Sequence, residues 1–201
     1  EQVGIATATD SVGTEKGLST LFNSIADQVD FGILPLSDGS TVVVCYHIDV
    51  LPDVVNTLQN IYSDEYTDAI NLWNQTHLLR LRYNAAGISI QGVYLDIDNI
   101  EHKIESSTNI ELGYNFLAFR VDKTNSALVT NNELITGGGA NGIRTLSPYN
   151  PTWLGRILSD NLEYRRFKGK IHSVFVYPNR GLTDEEIISL RSDPYQMLIP
   201  A

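Results

Sequence analysis

Cysteine is almost absent from this chain: Cys45 is the only one. An intrachain disulfide is therefore excluded, and with it the disulfide framework that holds many small secreted domains together. None is needed, because a chain of 201 residues can bury roughly 70% of the surface its unfolded form exposes. Within Val42-Val43-Val44-Cys45-Tyr46 the thiol reads as a small buried hydrophobe, with no neighbouring motif for a nucleophile. Basic residues are scarce too. Fourteen Lys and Arg face 24 Asp and Glu, a formal net charge of -10. Phosphate backbones repel such a surface, which argues against nucleic acid as a partner. No run of 18 apolar residues occurs, so no membrane-inserted helix is expected. His47, His77, His102 and His172 stand apart in sequence. They form neither H-x-x-x-H nor H-x-E, so a zinc site has no support. No G-x-S-x-G elbow is present for a serine hydrolase.

What the chain does contain is a succession of short strand patterns divided by turn signals, the mark of an all-β protein. Thr41 to Ile48 is rich in β-branched residues. Leu79, Leu81 and Tyr83 alternate with Arg80 and Arg82, the period of a half-buried strand. Ile88 to Leu95 reads as a further strand. Leu112–Asp122 and Ser126–Ile135 read as two more, joined by the polar link Asp122-Lys123-Thr124-Asn125. Pro52 to Ile61 has a weak helical pattern. The clear helix begins at Thr183-Asp184-Glu185-Glu186, a capping box in which Thr183 and Glu186 each serve the other's backbone amide. Asp193-Pro194 ends it. Gly137–Gly142 reads as a flexible connector, since no Gly-Lys-Ser/Thr follows to cradle phosphate. Residues 1–25 are small and polar and read as an arm or linker, leaving residues 26–201 as one domain. The chain opens on Glu1 rather than Met, and no signal peptide is visible there.

The segment Phe167 to Gln196, FKGKIHSVFVYPNRGLTDEEIISLRSDPYQ, resembles the closing segment of laminin-G-like, concanavalin-A-like domains. In these a F-x-G-x-I strand leads through V-x-V-Y-x-R-x-L into a short T/S-D-x-E-I helix. The matching residues are Phe167, Gly169, Ile171, Val174, Val176, Tyr177, Arg180, Leu182, Thr183, Asp184, Glu186 and Ile187. Upstream, Ala26–Gly32, Tyr114–Asp122, Ala127–Ile135 and Trp153–Arg156 follow the family's strand order. His172 stands where the family usually has an acid, Tyr114-Asn115-Phe116 where it has W-H-H, and Asn131-Asn132 where it has N-G. The resemblance implies an all-β jelly-roll sandwich of two antiparallel sheets with a short C-terminal helix. The ending near Pro194 is similar to versions in bacterial and bacteriophage proteins. It implies an extracellular, cell-surface or virion setting.

The resemblance also frames the candidate sites. Sandwich glucanases carry E-x-D-x-x-E on an inner strand, where paired carboxylates act on the glycosidic bond. Here Asp96-Ile97-Asp98-Asn99-Ile100-Glu101 offers the shorter Asp first and has no nearby Trp. It reads foremost as an acidic turn, with Asp96 and Asp98 as candidate Ca²⁺ ligands. The loop Ser159–Arg166 supplies Asp160 and Asn161 for hydroxyls or Ca²⁺ and Tyr164 for a sugar face. Arg165 and Arg166 could equally ion-pair within that loop. Trp73 and Trp153 read foremost as core. Three readings stand: a non-catalytic, carbohydrate-recognising or adhesive module; a structural domain of a phage-like particle that binds protein subunits; and a divergent glycoside hydrolase. The first leads, and an oligomer is compatible with the first two.

Overall fold

A computed structural model describes residues 11–14, 17–22, 29–30, 39–52, 58–66, 74–85, 87–98, 100–107, 110–137, 152–155 and 167–194. The strands are β1 (Ser11–Thr14), β2 (Gly17–Phe22), β3 (Val29–Asp30), β4 (Ser40–Ile48), β5 (Leu58–Tyr66), β6 (Asn74–Asn84) and β7 (Gly87–Leu95). They continue with β8 (Glu101–Glu105), β9 (Gly113–Val121), β10 (Ser126–Val129), β11 (Leu134–Gly137), β12 (Thr152–Leu154) and β13 (Gly169–Tyr177), before helix α1 (Asp184–Ser192). Seven strands form one sheet in the order β1-β2-β13-β4-β9-β10-β11, and six form the other in the order β3-β12-β5-β6-β7-β8. Neighbours run antiparallel throughout these described strands. The protein is an all-β jelly-roll sandwich with one short helix among the described residues.

Strand β4 explains the larger sheet. Its inward residues Val42, Val44, Tyr46 and Ile48 join the main core with Leu79, Leu81, Ile90, Tyr94, Leu117 and Phe119. Its outward residues Val43 and Cys45 are buried in a second cluster with Phe116, Ala118, Val129, Leu182, Ile187 and Leu190. Helix α1 supplies two of these, so it covers the outer face of this sheet. The cover is well started. The Glu186 amide donates to Thr183 Oγ1 at 3.3 Å, and the Thr183 amide donates to Glu186 Oε2 at 2.9 Å. Arg120 of β9 then ties the helix start to the sheet, donating to Leu182 O at 2.7 Å and pairing with Asp184 at 2.8 Å. Cys45 lies beneath this cover. Burial pushes its thiol above the ordinary value despite hydrogen bonds with Tyr114 and Ser173.

The closing motif has a physical reading. β13 inserts between β2 and β4. A Cβ at Gly169 would sit 2.1 Å from the backbone oxygen of His47 and 2.8 Å from the Phe167 ring. Only glycine lets the two strands meet there. Phe167 is buried and packs edge-on to Tyr46, with ring centroids 5.8 Å apart. The register then shifts between Ile171 and Ser173. This bulge at His172 is needed because Ile171 and Val174 are three apart yet both meet the core, where simple alternation would turn Val174 outward.

Three local expectations change. Residues 1–25, read as an arm or linker, contribute β1 and β2, and β2 pairs with β13. An open strand edge recruits a partner through its backbone, which composition barely signals. Leu58–Ile61, read as weakly helical, lies in β5. Ser126–Ile135, read as one strand, is the hairpin β10–β11, turned at Thr130–Glu133 by a 2.9 Å backbone bond.

Overpacking tests this account. Gly169→Ala is expected to cost about 3 kcal/mol, the upper end for overpacking, since a backbone atom blocks the new methyl. In a chain of this size that lowers the melting temperature by about 6–12 °C. Calorimetry on the purified variant checks it, and an unchanged melting temperature would refute the close approach.

Candidate functional site

The two sheets differ on their outer faces. The larger one lies under α1, whereas the six-stranded one carries polar side chains. On β6 and β7, Leu79, Leu81, Ile90 and Tyr94 point into the main core. Alternation places Arg80, Arg82, Ser89 and Gln91 on the opposite side. Register aligns Arg80 with Gln91, Arg82 with Ser89, and Gln91 with Glu105 of β8. These residues form one network. Arg80 Nε donates to Gln91 Oε1 at 2.9 Å, and Gln91 Nε2 donates to Glu105 Oε2 at 2.8 Å. The Ser89 hydroxyl donates to Glu105 Oε1, and Asn84 Nδ2 approaches the same oxygen at 3.4 Å. Arg82 Nη1 lies 3.5 Å from Glu105 Oε2. Burial would raise the Glu105 carboxyl, but the bonds from Ser89 and Gln91 and the charges of Arg82 and Arg80 outweigh it and hold it below the ordinary range.

Burial grades across this face. Leu78 and Val93 are buried there as a separate pair, and Gln91 is buried beside them. Toward the β6–β7 turn the network opens, with the Arg82 and Glu105 side chains 39% and 32% exposed. Fixed donors and acceptors on strands, open on one side, suit a ligand rich in hydroxyls. Sequence reasoning saw Arg80 and Arg82 only as the polar half of a strand and passed over Gln91 and Glu105. The available signal was the adjacent strand alternation, but which strands pair was not legible.

The acidic run that the sequence singled out forms the β7–β8 turn. Asp96 is buried. Its Oδ1 accepts from the amides of Asp98 at 3.0 Å and Ile100 at 2.8 Å, and its Oδ2 lies 2.8 Å from His102 Nε2. His102 stacks on Tyr94, with centroids 4.9 Å apart. The hydrogen bond with His102 is the main cause that keeps the Asp96 carboxyl below its ordinary value, with burial opposing and the two amides assisting. Asp98 is exposed and Glu101 is ion-paired with Lys103. Asp96 thus braces a turn that presents Ile97 and Ile100 to solvent. Among the described residues no group of three or more His, Cys, Asp or Glu could hold a metal ion. Asp160, Asn161 and Tyr164 lie outside the described residues, as does Trp73; Trp153 lies in β12.

A cleft of about 350 Å³ lies beside the start of α1, lined by Arg120, Asp122, Thr124, Asn125, Thr183 and Asp184 among others. Arg120 is occupied there by Asn125 O, Leu182 O and Asp184. Asp122 is held below its ordinary value first by the Thr124 amide. The cleft's polar groups chiefly bind one another and join the β9–β10 turn to the helix.

The fold is shared with carbohydrate-active and receptor-binding proteins. Domain 4 of AbnA, a GH43 extracellular arabinanase from Geobacillus stearothermophilus solved with arabinotriose, matches at a TM-score of 0.63 and 16% identity, over 94% of this chain and 86% of that one. A Trypanosoma rangeli sialidase in complex with sialic acid matches at 0.64 and 15% identity, over 96% of this chain but 30% of that one. The receptor-binding domain of botulinum neurotoxin D matches at 0.69 and 12% identity, over 96% of this chain and 48% of that one. At these identities the likeness concerns the fold. No family model and no curated protein matches the sequence. No helix among the described residues is long and apolar enough to cross a membrane.

Asp96, Glu105 and Asp122 release their protons more readily in the folded chain than in the unfolded one. Their contribution is complete above the ordinary carboxylate range near pH 4 and is lost as pH falls through the lower folded values. The melting temperature is therefore expected to hold from pH 7 to about pH 5 and then to drop. Asp96→Asn should melt lower at pH 7 and fall less steeply below pH 5, because one of the linked carboxyls is gone. Calorimetry from pH 3 to 7 reads both. Identical acid slopes in the two proteins would remove Asp96 from this role.

Proposed function

We propose that this domain is a non-catalytic carbohydrate-binding module of the laminin-G-like kind, holding a glycan on the outer face of its six-stranded sheet. The observation that carries the reading is the Arg80–Gln91–Glu105–Ser89 network with Arg82 and Asn84 at its open end. Its bases are fixed by three paired strands, so little side-chain freedom is lost when hydroxyls bind. The arabinanase domain, similar over most of both chains, supports it because its structure holds arabinotriose. The loop containing Asp160, Asn161 and Tyr164 follows β12 in sequence and is the proposed source of an aromatic platform. Such a module suits an extracellular, cell-surface or virion setting.

The non-catalytic part rests on the β7–β8 turn. A glycosidase needs two carboxyl groups flanking an open scissile bond. Asp96 is buried and already accepts from two amides while bound to His102. Glu101 is paired with Lys103. The same saturation leaves Asp96 a poor Ca²⁺ ligand, so any difference in glycan affinity between Ca²⁺ and chelator is expected to survive in Asp96→Asn. A second reading, a structural domain that binds protein subunits of a particle, is favoured by one feature: Ile97 and Ile100 are 63% and 55% exposed on a braced turn.

Isothermal titration with arabino-oligosaccharides, backed by a glycan array, tests the proposal. Glu105→Gln should weaken binding about tenfold by removing a charged acceptor, and Tyr164→Ala should weaken it by a similar factor. Circular dichroism confirms that each variant is folded. A folded wild-type protein that binds no glycan would overturn the proposal in favour of subunit binding.

A further inference from the structure

Arg82 is the charged group on this face that the internal network engages most weakly. Among its described contacts, the 3.5 Å approach to Glu105 is beyond the usual range for a hydrogen bond. Arg82 acts on Glu105 through its charge, while Ser89 and Gln91 donate the short hydrogen bonds to the two carboxylate oxygens. Two arginines beside one glutamate leave the patch with one positive charge in excess, on a chain of net charge -10. Arg82 sits on β6 between β5 and β7, so its base is fixed while its head reaches water.

The surroundings of Arg82 suggest what it meets. Asn84 lies two residues on, on the same face, with its side-chain amide 3.4 Å from Glu105 Oε1. Leu58, half-buried, stands directly across from Arg82 on β5 and offers an apolar surface to a ring's C–H face. A guanidinium is a planar fork of donors that matches a carboxylate with two parallel bonds. On a surface that otherwise repels anions, this fork is a selective feature.

We propose that the six-stranded face recognises a carboxylate-bearing sugar, with its carboxylate on Arg82, a hydroxyl on Asn84 and its ring against Leu58. This rests on the carbohydrate-binding reading and narrows it to acidic glycans. Uronic and sialic acids share the required chemistry, so two matched pairs of probes separate them: trigalacturonate against its carboxyl-reduced trisaccharide, and sialyllactose against lactose.

Isothermal titration of the full chain is expected to show the acidic member of at least one pair binding about tenfold more tightly at low salt. The preference should shrink as salt rises and disappear in Arg82→Gln. Arg82→Lys, which keeps the charge but loses the fork, should retain only part of it. Lys103→Gln removes a nearby cation that is ion-paired with Glu101, and it should leave the preference intact. Circular dichroism verifies that every variant is folded. Equal affinity for acidic and neutral probes, or a preference that survives Arg82→Gln, overturns this inference and leaves the carbohydrate reading standing. No binding of any probe, and none on a glycan array, overturns both.

Discussion

Burial of β4 on both faces is the constraint on which the rest of the structure depends. The strand has water on neither side, so Val42, Val44, Tyr46 and Ile48 need the six-stranded sheet, while Val43 and Cys45 need the helix. Its neighbours follow from this. β9 and β13 must flank it to complete its backbone hydrogen bonds, because an unpaired buried amide costs as much as a lost hydrogen bond. The close approach at Gly169 and the bulge at His172 serve the β13 side of that pairing. Arg120 and the capping box serve the helix that closes the outer side.

The two outer faces of the sandwich differ. One outer face lies under α1 where β4, β9 and β10 place Val43, Cys45, Phe116, Ala118 and Val129. The other carries a network whose open end stands at Arg82 and Glu105. On that face β6 and β7 place arginine, serine and glutamine at one end and the buried pair Leu78 and Val93 at the other. The polar half of two strands thus forms a network that is buried at Gln91 and reaches solvent at Arg82 and Glu105.

The acidic turn shows how the same residues change meaning in three dimensions. Along the chain, Asp96, Asp98 and Glu101 resemble a set of catalytic or metal-binding acids. In the fold they point to different tasks: Asp96 turns inward to two amides and His102, while Glu101 meets Lys103. Six residues of spacing did not disclose the Asp96–His102 pair, which forms because β7 and β8 fold back and set His102 opposite Tyr94.

The sequence by itself determined the features that follow from local periodicity and local hydrogen bonding. Alternation at Leu79–Tyr83 marked β6, the β-branched run marked β4, and Thr183 with Glu186 marked the helix start, since each pattern is complete within a few residues. The strands β1 and β2 left a weak mark because their pairing is made by backbone atoms common to all residues. The polar network was decided only by the tertiary structure. Arg82, Gln91 and Glu105 lie on three strands, and whether each is a solvated charge or part of a fixed array depends on register, which a chain read in one dimension does not contain.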